Sequence, residues 1–189
     1  MLLCLNLLNC IGLLHGSNLL HGSNLLHGSN LLHGSNLLHG SNLLHGVINE
    51  SNSVSFSNTI GSIKELVASS SIMYKNTINI DYEQRIKSQK RIIEKINKRR
   101  IPHDIYGLRI IYEDSLDINN HELAYAIKNL LYTNFNSVDC FYDDYIKYPK
   151  INNYQSLHIY IVTNIIIEVQ IRNSLMHFNA INGTASNYH

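Results

Sequence analysis

Two acidic residues stand where carboxylates can act on a phosphate. Asp104 comes just before the short β-branched run Gly107-Leu-Arg-Ile-Ile-Tyr112, and Glu168 lies in the middle of a second run, Ile165 to Arg172. A carboxylate that opens one strand, with another in the middle of a neighbouring strand, is a recurring way to hold Mg²⁺ against a nucleoside triphosphate. Each also has an ordinary reading, Asp104 as a turn or cap residue after Pro102 and Glu168 as an exposed strand residue. Basic residues gather upstream of the pair. All fifteen Lys and Arg follow residue 46, and nine of them lie between Arg85 and Arg109. The formal net charge of +1 hides this cluster, which favours a phosphate-bearing partner, although a solvated helix face carries the same pattern.

The elements that must position these groups follow from periodicity. Arg85 to Arg100 contains no Gly or Pro, and Ile86, Ile93 and Ile96 fall near one helical face with Lys87, Arg91, Lys95 and Lys98 on another. That spacing predicts an amphipathic helix stopped before Pro102. Gly107 to Tyr112 reads as a strand and His121 to Tyr132 as a helix. Leu157 to Thr163 and Ile165 to Arg172 are separated by almost nothing, which predicts a hairpin turning near Thr163-Asn164. Because strand side chains alternate, Glu168, Gln170 and Arg172 share one face while Ile167, Val169 and Ile171 share the other. Asn173 to Ile181 reads as a closing helix.

The N-terminal part is of another kind. From Leu13 to Gly46 the hexad Leu-Leu-His-Gly-Ser-Asn recurs almost unchanged, and residues 1–46 are expected to be a disordered repeat, too short to close the coils of a hexad solenoid. His15, His21, His27, His33, His39 and His45 have no accompanying carboxylate or thiolate, so no metal role is assigned to them. Residues 47–77 are rich in Ser and Asn and read as a linker with a short helix near Ile63 to Ala68, leaving 78–189 for one domain. Cys4, Cys10 and Cys140 form no CxxC pair, which fits a reducing compartment, cytoplasmic or plastid. Every Leu run is interrupted, so no membrane span is expected, and the apolar opening lacks the preceding basic residue of a leader.

Whole strings sharpen the reading. His103-Asp-Ile-Tyr-Gly-Leu-Arg-Ile-Ile111, Asp144-Tyr-Ile-Lys-Tyr-Pro-Lys-Ile-Asn-Asn-Tyr-Gln-Ser-Leu-His158 and Glu168-Val-Gln-Ile-Arg172 resemble three successive motifs of the RelA/SpoT synthetases, in the family's order. Arg85-Ile-Lys-Ser88 resembles the family's Arg-x-Lys-Ser motif, and Met176-His177, Ala180 and Gly183-Thr-Ala185 resemble its continuation. The resemblance covers about Ile78 to His189, in shortened and divergent form. It implies an α/β, nucleotidyltransferase-like fold, a mixed and largely antiparallel sheet flanked by helices.

It also implies a GTP/GDP diphosphokinase that moves pyrophosphate from ATP to the 3′-hydroxyl of GDP or GTP, with Mg²⁺ as cofactor. Asp104 matches the family's metal-ligating aspartate and Glu168 its second acidic residue, metal ligand or base. Arg85 and Lys87 match ATP-site residues, with Lys95 a weaker match; an Arg plane suits adenine and a Lys ammonium suits phosphate. Tyr154 matches the guanine-stacking tyrosine, and Lys150, Asn152, His158 and Ala180 match neighbours of the acceptor nucleotide. Asn153 stands where the family commonly has Gly, a place where Asn tolerates left-handed backbone. Phe141 replaces the acidic residue that opens the acidic variant of the loop ending in Asp143-Asp144. DNA is not among the implied partners, and nothing in these strings calls for RNA or a ribosome. The alternatives are a non-catalytic relic binding guanine nucleotide or a ribosomal partner, and another kind of nucleotidyltransferase.

Overall fold

The computed structural model of the protein describes residues 50–71, 78–98, 102–114, 117 and 121–183. The hexad repeat with its histidines, Cys4, Cys10 and the string after Gly183 lie outside these residues. The described elements are α1 (Glu50–Ser69), β1 (Ile78–Ile86), α2 (Gln89–Asn97), β2 (Tyr106–Asp114), α3 (Glu122–Asn134), β3 (Asn136–Ser137), β4 (Asp143–Asp144), β5 (Leu157–Val162), β6 (Ile166–Asn173) and α4 (Ser174–Asn182). A short 3₁₀ turn, Asp139–Phe141, precedes β4.

The sheet runs β1-β2-β6-β5-β3, with β4 also paired to β5. Among the described residues β2 and β6 form the one parallel pair, and the other pairs are antiparallel. The sheet is therefore mixed and largely antiparallel, as the α/β reading expects. The hairpin of β5 and β6 forms as its alternation predicts, turning through Thr163 to Ile165, where Thr163 N donates to Ile165 O at 2.9 Å. Cross-strand partners point to one face, and two faces of opposite character result. Leu108, Ile110, Ile159, Ile161, Ile167, Val169 and Ile171 are buried on one, packed in one core cluster with Leu123, Ala124, Ile127 and Leu131 of α3. The other face holds Glu83, Arg109, Gln170 and His158 in one cross-strand row, and Arg85, Gly107, Glu168 and Tyr160 in the next.

Two expectations are corrected. The segment read as linker is largely the 20-residue helix α1. Phe56, Ile60, Ile63 and Val67 recur at helical spacing and are buried in the core, with the Phe56 ring 5.1 Å from that of Tyr106. Burying four such side chains contributes about 1.5 to 3 kcal/mol each, which outweighs the modest helix propensity of the intervening Ser and Asn, at most about 0.7 kcal/mol per residue. The helix expected from Arg85 to Arg100 starts later, at Gln89. Arg85 and Ile86 belong to β1, which pairs with β2 from Ile78↔Asp114 to Ile86↔Tyr106, and this ladder satisfies backbone groups a helix would otherwise hold. Ile86 is 43% exposed, whereas Ile92 of α2 is buried in the core. No helix among the described residues is long and apolar enough to cross a membrane.

Candidate active site

The segment ahead of β2 delivers Asp104. Its Oδ2 accepts hydrogen bonds from Lys87 Nζ, just past the end of β1, and from Lys95 Nζ on α2. Lys87 N also donates to Ile105 O at 2.8 Å, which ties the end of β1 to the start of β2. Burial works to raise the Asp104 carboxyl, but the two ammonium groups more than offset it and hold the group at about 2. Lys87 is itself pushed down by burial, with Asp104 pulling it back. Oδ1 of Asp104 is buried with no hydrogen-bond partner. Beside this cluster Arg85, Ile86, Lys87, Ser88 and Arg91 line an open cleft of about 220 Å³.

Glu168 sits in mid-β6 and is 8% exposed. Its Oε1 accepts from Tyr160 Oη at 2.9 Å and lies 3.2 Å from His158 Nδ1. Its Oε2 accepts from Gln170 Nε2 at 3.0 Å. Burial acts to raise this carboxyl and Asp104 adds to that, yet His158 and Tyr160 prevail and keep it below its ordinary value. Tyr160 is pushed far up by burial and by the Glu168 charge, so its hydroxyl stays a donor. On the other side His158 Nε2 meets Tyr154 Oη at 2.8 Å. A tautomer with Nδ1–H donating to Glu168 and Nε2 accepting from Tyr154 satisfies all three groups. Gly107 lies between Arg85 and Glu168 in their row, and a Cβ there would meet Arg85 O at 3.6 Å and Glu168 O at 3.9 Å. No side chain therefore separates the two on that face.

Tyr154 stands on a tight turn. Lys150 N donates to Tyr154 O at 3.2 Å, Asn153 N to Lys150 O at 2.8 Å and Tyr154 N to Asn152 Oδ1 at 3.3 Å. Asn153 has φ 60°, the left-handed conformation foreseen for it. The Lys150 ammonium lies 4.1 Å from the Tyr145 ring centroid and 5.2 Å from that of Tyr154. Asp144, from the acidic loop, accepts from Tyr125 Oη at 3.0 Å, Tyr142 Oη at 3.2 Å and Lys147 N at 2.8 Å, which fixes the loop leading to this turn. Phe141 stacks on His103 at 4.3 Å, with the Tyr160 ring edge-on to both.

The structure thus gathers Asp104 with Lys87 and Lys95, and Glu168 with His158 and Tyr154; Lys150 and Asn152 flank Tyr154, and Arg85 lines the cleft. Ala180 is only 2% exposed, inside α4. Sequence reasoning missed Tyr160 and Arg109 as neighbours of this site, and Gln170 as a donor to Glu168. Alternation places Gln170 beside Glu168, but Tyr160 and Arg109 converge there only through strand register. A divalent cation fits the donor set, because Asp104 Oδ1 is a hard oxygen with no other partner and Mg²⁺ binds through one or two carboxylates completed by waters and phosphates. Among the described residues no three His, Cys, Asp or Glu side chains form a cage of their own.

This sheet and its helices have the fold of the alarmone synthetases. The small alarmone synthetase 1 of Bacillus subtilis bound to its product pppGpp matches with a TM-score of 0.56 and 24% identity, over 74% of this chain and 80% of that one. Small alarmone synthetase 2 of the same organism matches with a TM-score of 0.56 and 28% identity, over 74% and 80%. The family described as "Region found in RelA / SpoT proteins" matches residues 84–189, and the chain belongs to that family. Among curated relatives, "Probable GTP diphosphokinase RSH2, chloroplastic" of Arabidopsis thaliana is 34% identical over 110 residues, 55% of this chain and 15% of the relative. The chain therefore corresponds to a small part of that relative's length.

Proposed function

We propose that this domain is a GTP/GDP diphosphokinase that moves pyrophosphate from ATP to the 3′-hydroxyl of GDP or GTP. The observation that carries the reading is a pair of carboxylates largely or fully withdrawn from water and both held ionised, Asp104 beside a basic cleft and Glu168 joined through His158 to the Tyr154 turn. Relatives and structural neighbours named for this chemistry support it.

ATP enters beside Arg85 and Arg91, where a guanidinium plane stacks on adenine and Lys87 and Lys95 face the phosphates. Asp104 would hold Mg²⁺, which would supply charge neutralisation at the transferring phosphates, and Glu168 would either share that ion or act as the base. The guanine base stacks on Tyr154, with Lys150, Asn152 and His158 around the acceptor nucleotide. As the 3′-oxygen bonds the β-phosphorus, the bond from that phosphorus to the α,β-bridging oxygen breaks and AMP leaves. The 3′-hydroxyl proton passes to Glu168, which is already ionised and whose proton affinity rises as phosphates crowd near it. Incubating the purified chain with ATP, Mg²⁺ and either GDP or GTP should yield AMP and a guanosine 3′-diphosphate. Nucleotide binding without such a product would support the non-catalytic relic instead, and equal use of CTP as acceptor would point to another nucleotidyltransferase.

A further inference from the structure

One row of the polar face does something the motif residues do not. Glu83, Arg109, Gln170 and His158 are cross-strand neighbours on β1, β2, β6 and β5. Arg109 Nη1 donates to Glu83 Oε2 at 2.9 Å, and Arg109 Nε donates to Gln170 Oε1 at 3.2 Å. The Gln170 amide then turns its nitrogen to Glu168 Oε2 at 3.0 Å. That orientation follows from the donor inventory. A guanidinium has no acceptor, so the amide atom facing Arg109 must be oxygen, and the NH₂ is left for the carboxylate. Without Arg109 the carboxylate still selects the amide nitrogen, but the side chain is no longer held from its oxygen and can swing away from Glu168 Oε2. Glu168 is gripped from both sides by the same row, with Gln170 on Oε2 and His158 on Oε1, and Tyr160 completes the set.

We propose that Arg109 and Gln170 are positioning residues: anchored by Glu83, Arg109 fixes the Gln170 amide, and the amide fixes the direction in which Glu168 presents its free lone pairs to the acceptor hydroxyl. The inference rests on the diphosphokinase reading for its kinetic consequence, but the geometry it describes exists without substrate. The ladder also crosses from the strand that carries Arg85 to the strand that carries His158. It therefore ties the ATP side of the face to the guanine side through one chain of side-chain contacts.

The test uses the full chain as Arg109→Leu, Arg109→Lys and Gln170→Leu. Both Leu variants should lower kcat about 10- to 100-fold, the scale of a small misplacement at a reacting centre. The KM for each nucleotide should stay within about twofold, because binding contacts are untouched. Arg109→Lys keeps a donor and should recover most of the turnover. In a Glu168→Gln background Arg109→Leu should add nothing, since it acts through Glu168. A rise in KM at unchanged kcat, or a further loss in that background, would overturn the proposal. A second readout needs no turnover. The side-chain ¹⁵N–¹H₂ pair of Gln170 should exchange slowly in the wild type and at free-amide rates in Arg109→Leu, while the backbone amide spectrum of β2 and β6 is retained. An unchanged Gln170 pair overturns the proposal whether or not the chain makes product. Absence of product from the wild type, with the Gln170 change present, counts against the diphosphokinase reading alone.

Discussion

Asp104, largely buried, and Glu168, buried, are both carboxylates kept ionised, yet their surroundings differ in kind. Asp104 shares one oxygen between two lysine ammonium groups and leaves the other without a partner. Glu168 has donors on both oxygens, from His158, Tyr160 and Gln170, and among the described residues no Lys or Arg pairs with it. Charge holds the first; fixed hydrogen-bond geometry holds the second. The first centre tolerates movement of long side chains as long as the charge remains, whereas the second depends on the register of β2, β5 and β6. That division suits a site in which one carboxylate must face a mobile, highly charged triphosphate and the other must aim at a single hydroxyl.

Removing charge from the Asp104 centre should give the largest effect on stability. Lys87 and Asp104 have side chains 5% and 12% exposed, so Lys87→Met takes from a largely buried carboxylate the more deeply buried of its two cations and should destabilise the chain by about 3 kcal/mol, the lower end for breaking a buried pair. Denaturant unfolding of the two proteins measures it, and a change below about 1 kcal/mol would mean that Lys95 alone suffices. Next in size, Tyr154→Ala should weaken guanine-nucleotide binding by about 1 to 3 kcal/mol, as loss of base stacking does, and leave ATP binding unchanged in calorimetric titration. Equal weakening of both nucleotides would show that Tyr154 supports the sheet rather than a base.

Lys95 is 32% exposed, so Lys95→Met should change stability by no more than about 1 kcal/mol, the ordinary range for a solvated pair. If it matched Lys87→Met, the distinction between a buried and a solvated cation at Asp104 would fail. The smallest expected effect is a pH slope from His177, which lies beside Arg172 and Glu83. Burial and the nearby guanidinium groups hold its pKa below 6.5. A histidine whose folded value is depressed binds its proton more readily when unfolded, so its contribution is present above about pH 6.5 and is lost as pH falls through the folded value. Stability measured from pH 7 to pH 5 should fall slightly in the wild type and less in His177→Gln.

β2, which Asp104 precedes, and β6, which carries Glu168, were legible because their β-branched runs are short, alternating and bounded by turn residues. The motif strings also drew attention to Lys87, Lys95, Tyr154 and His158. What stayed hidden has physical causes. In α1 only Phe56, Ile60, Ile63 and Val67 mark the buried face, and the surrounding Ser and Asn mask a stripe that gains its stability from tertiary packing. β1 is an edge strand whose polar positions Asp81, Glu83 and Arg85 run into the charges of α2, so the join looks like one long helix. The alignment of Arg109 with Gln170 requires the parallel register of β2 on β6, and no local pattern encodes a pairing between segments so far apart in the chain.

The account stands or falls on Glu168 as the group that receives the acceptor proton or holds the metal. Glu168→Gln keeps the volume and removes the charge and the basicity, so the decisive measurement is its single-turnover rate of AMP formation from ATP with saturating GTP and Mg²⁺, beside the wild type. A folded variant slower by at least about a hundredfold, the lower end of what a positioned proton acceptor contributes, with guanine-nucleotide binding intact, is the predicted result. Wild-type turnover in the Gln variant would contradict it.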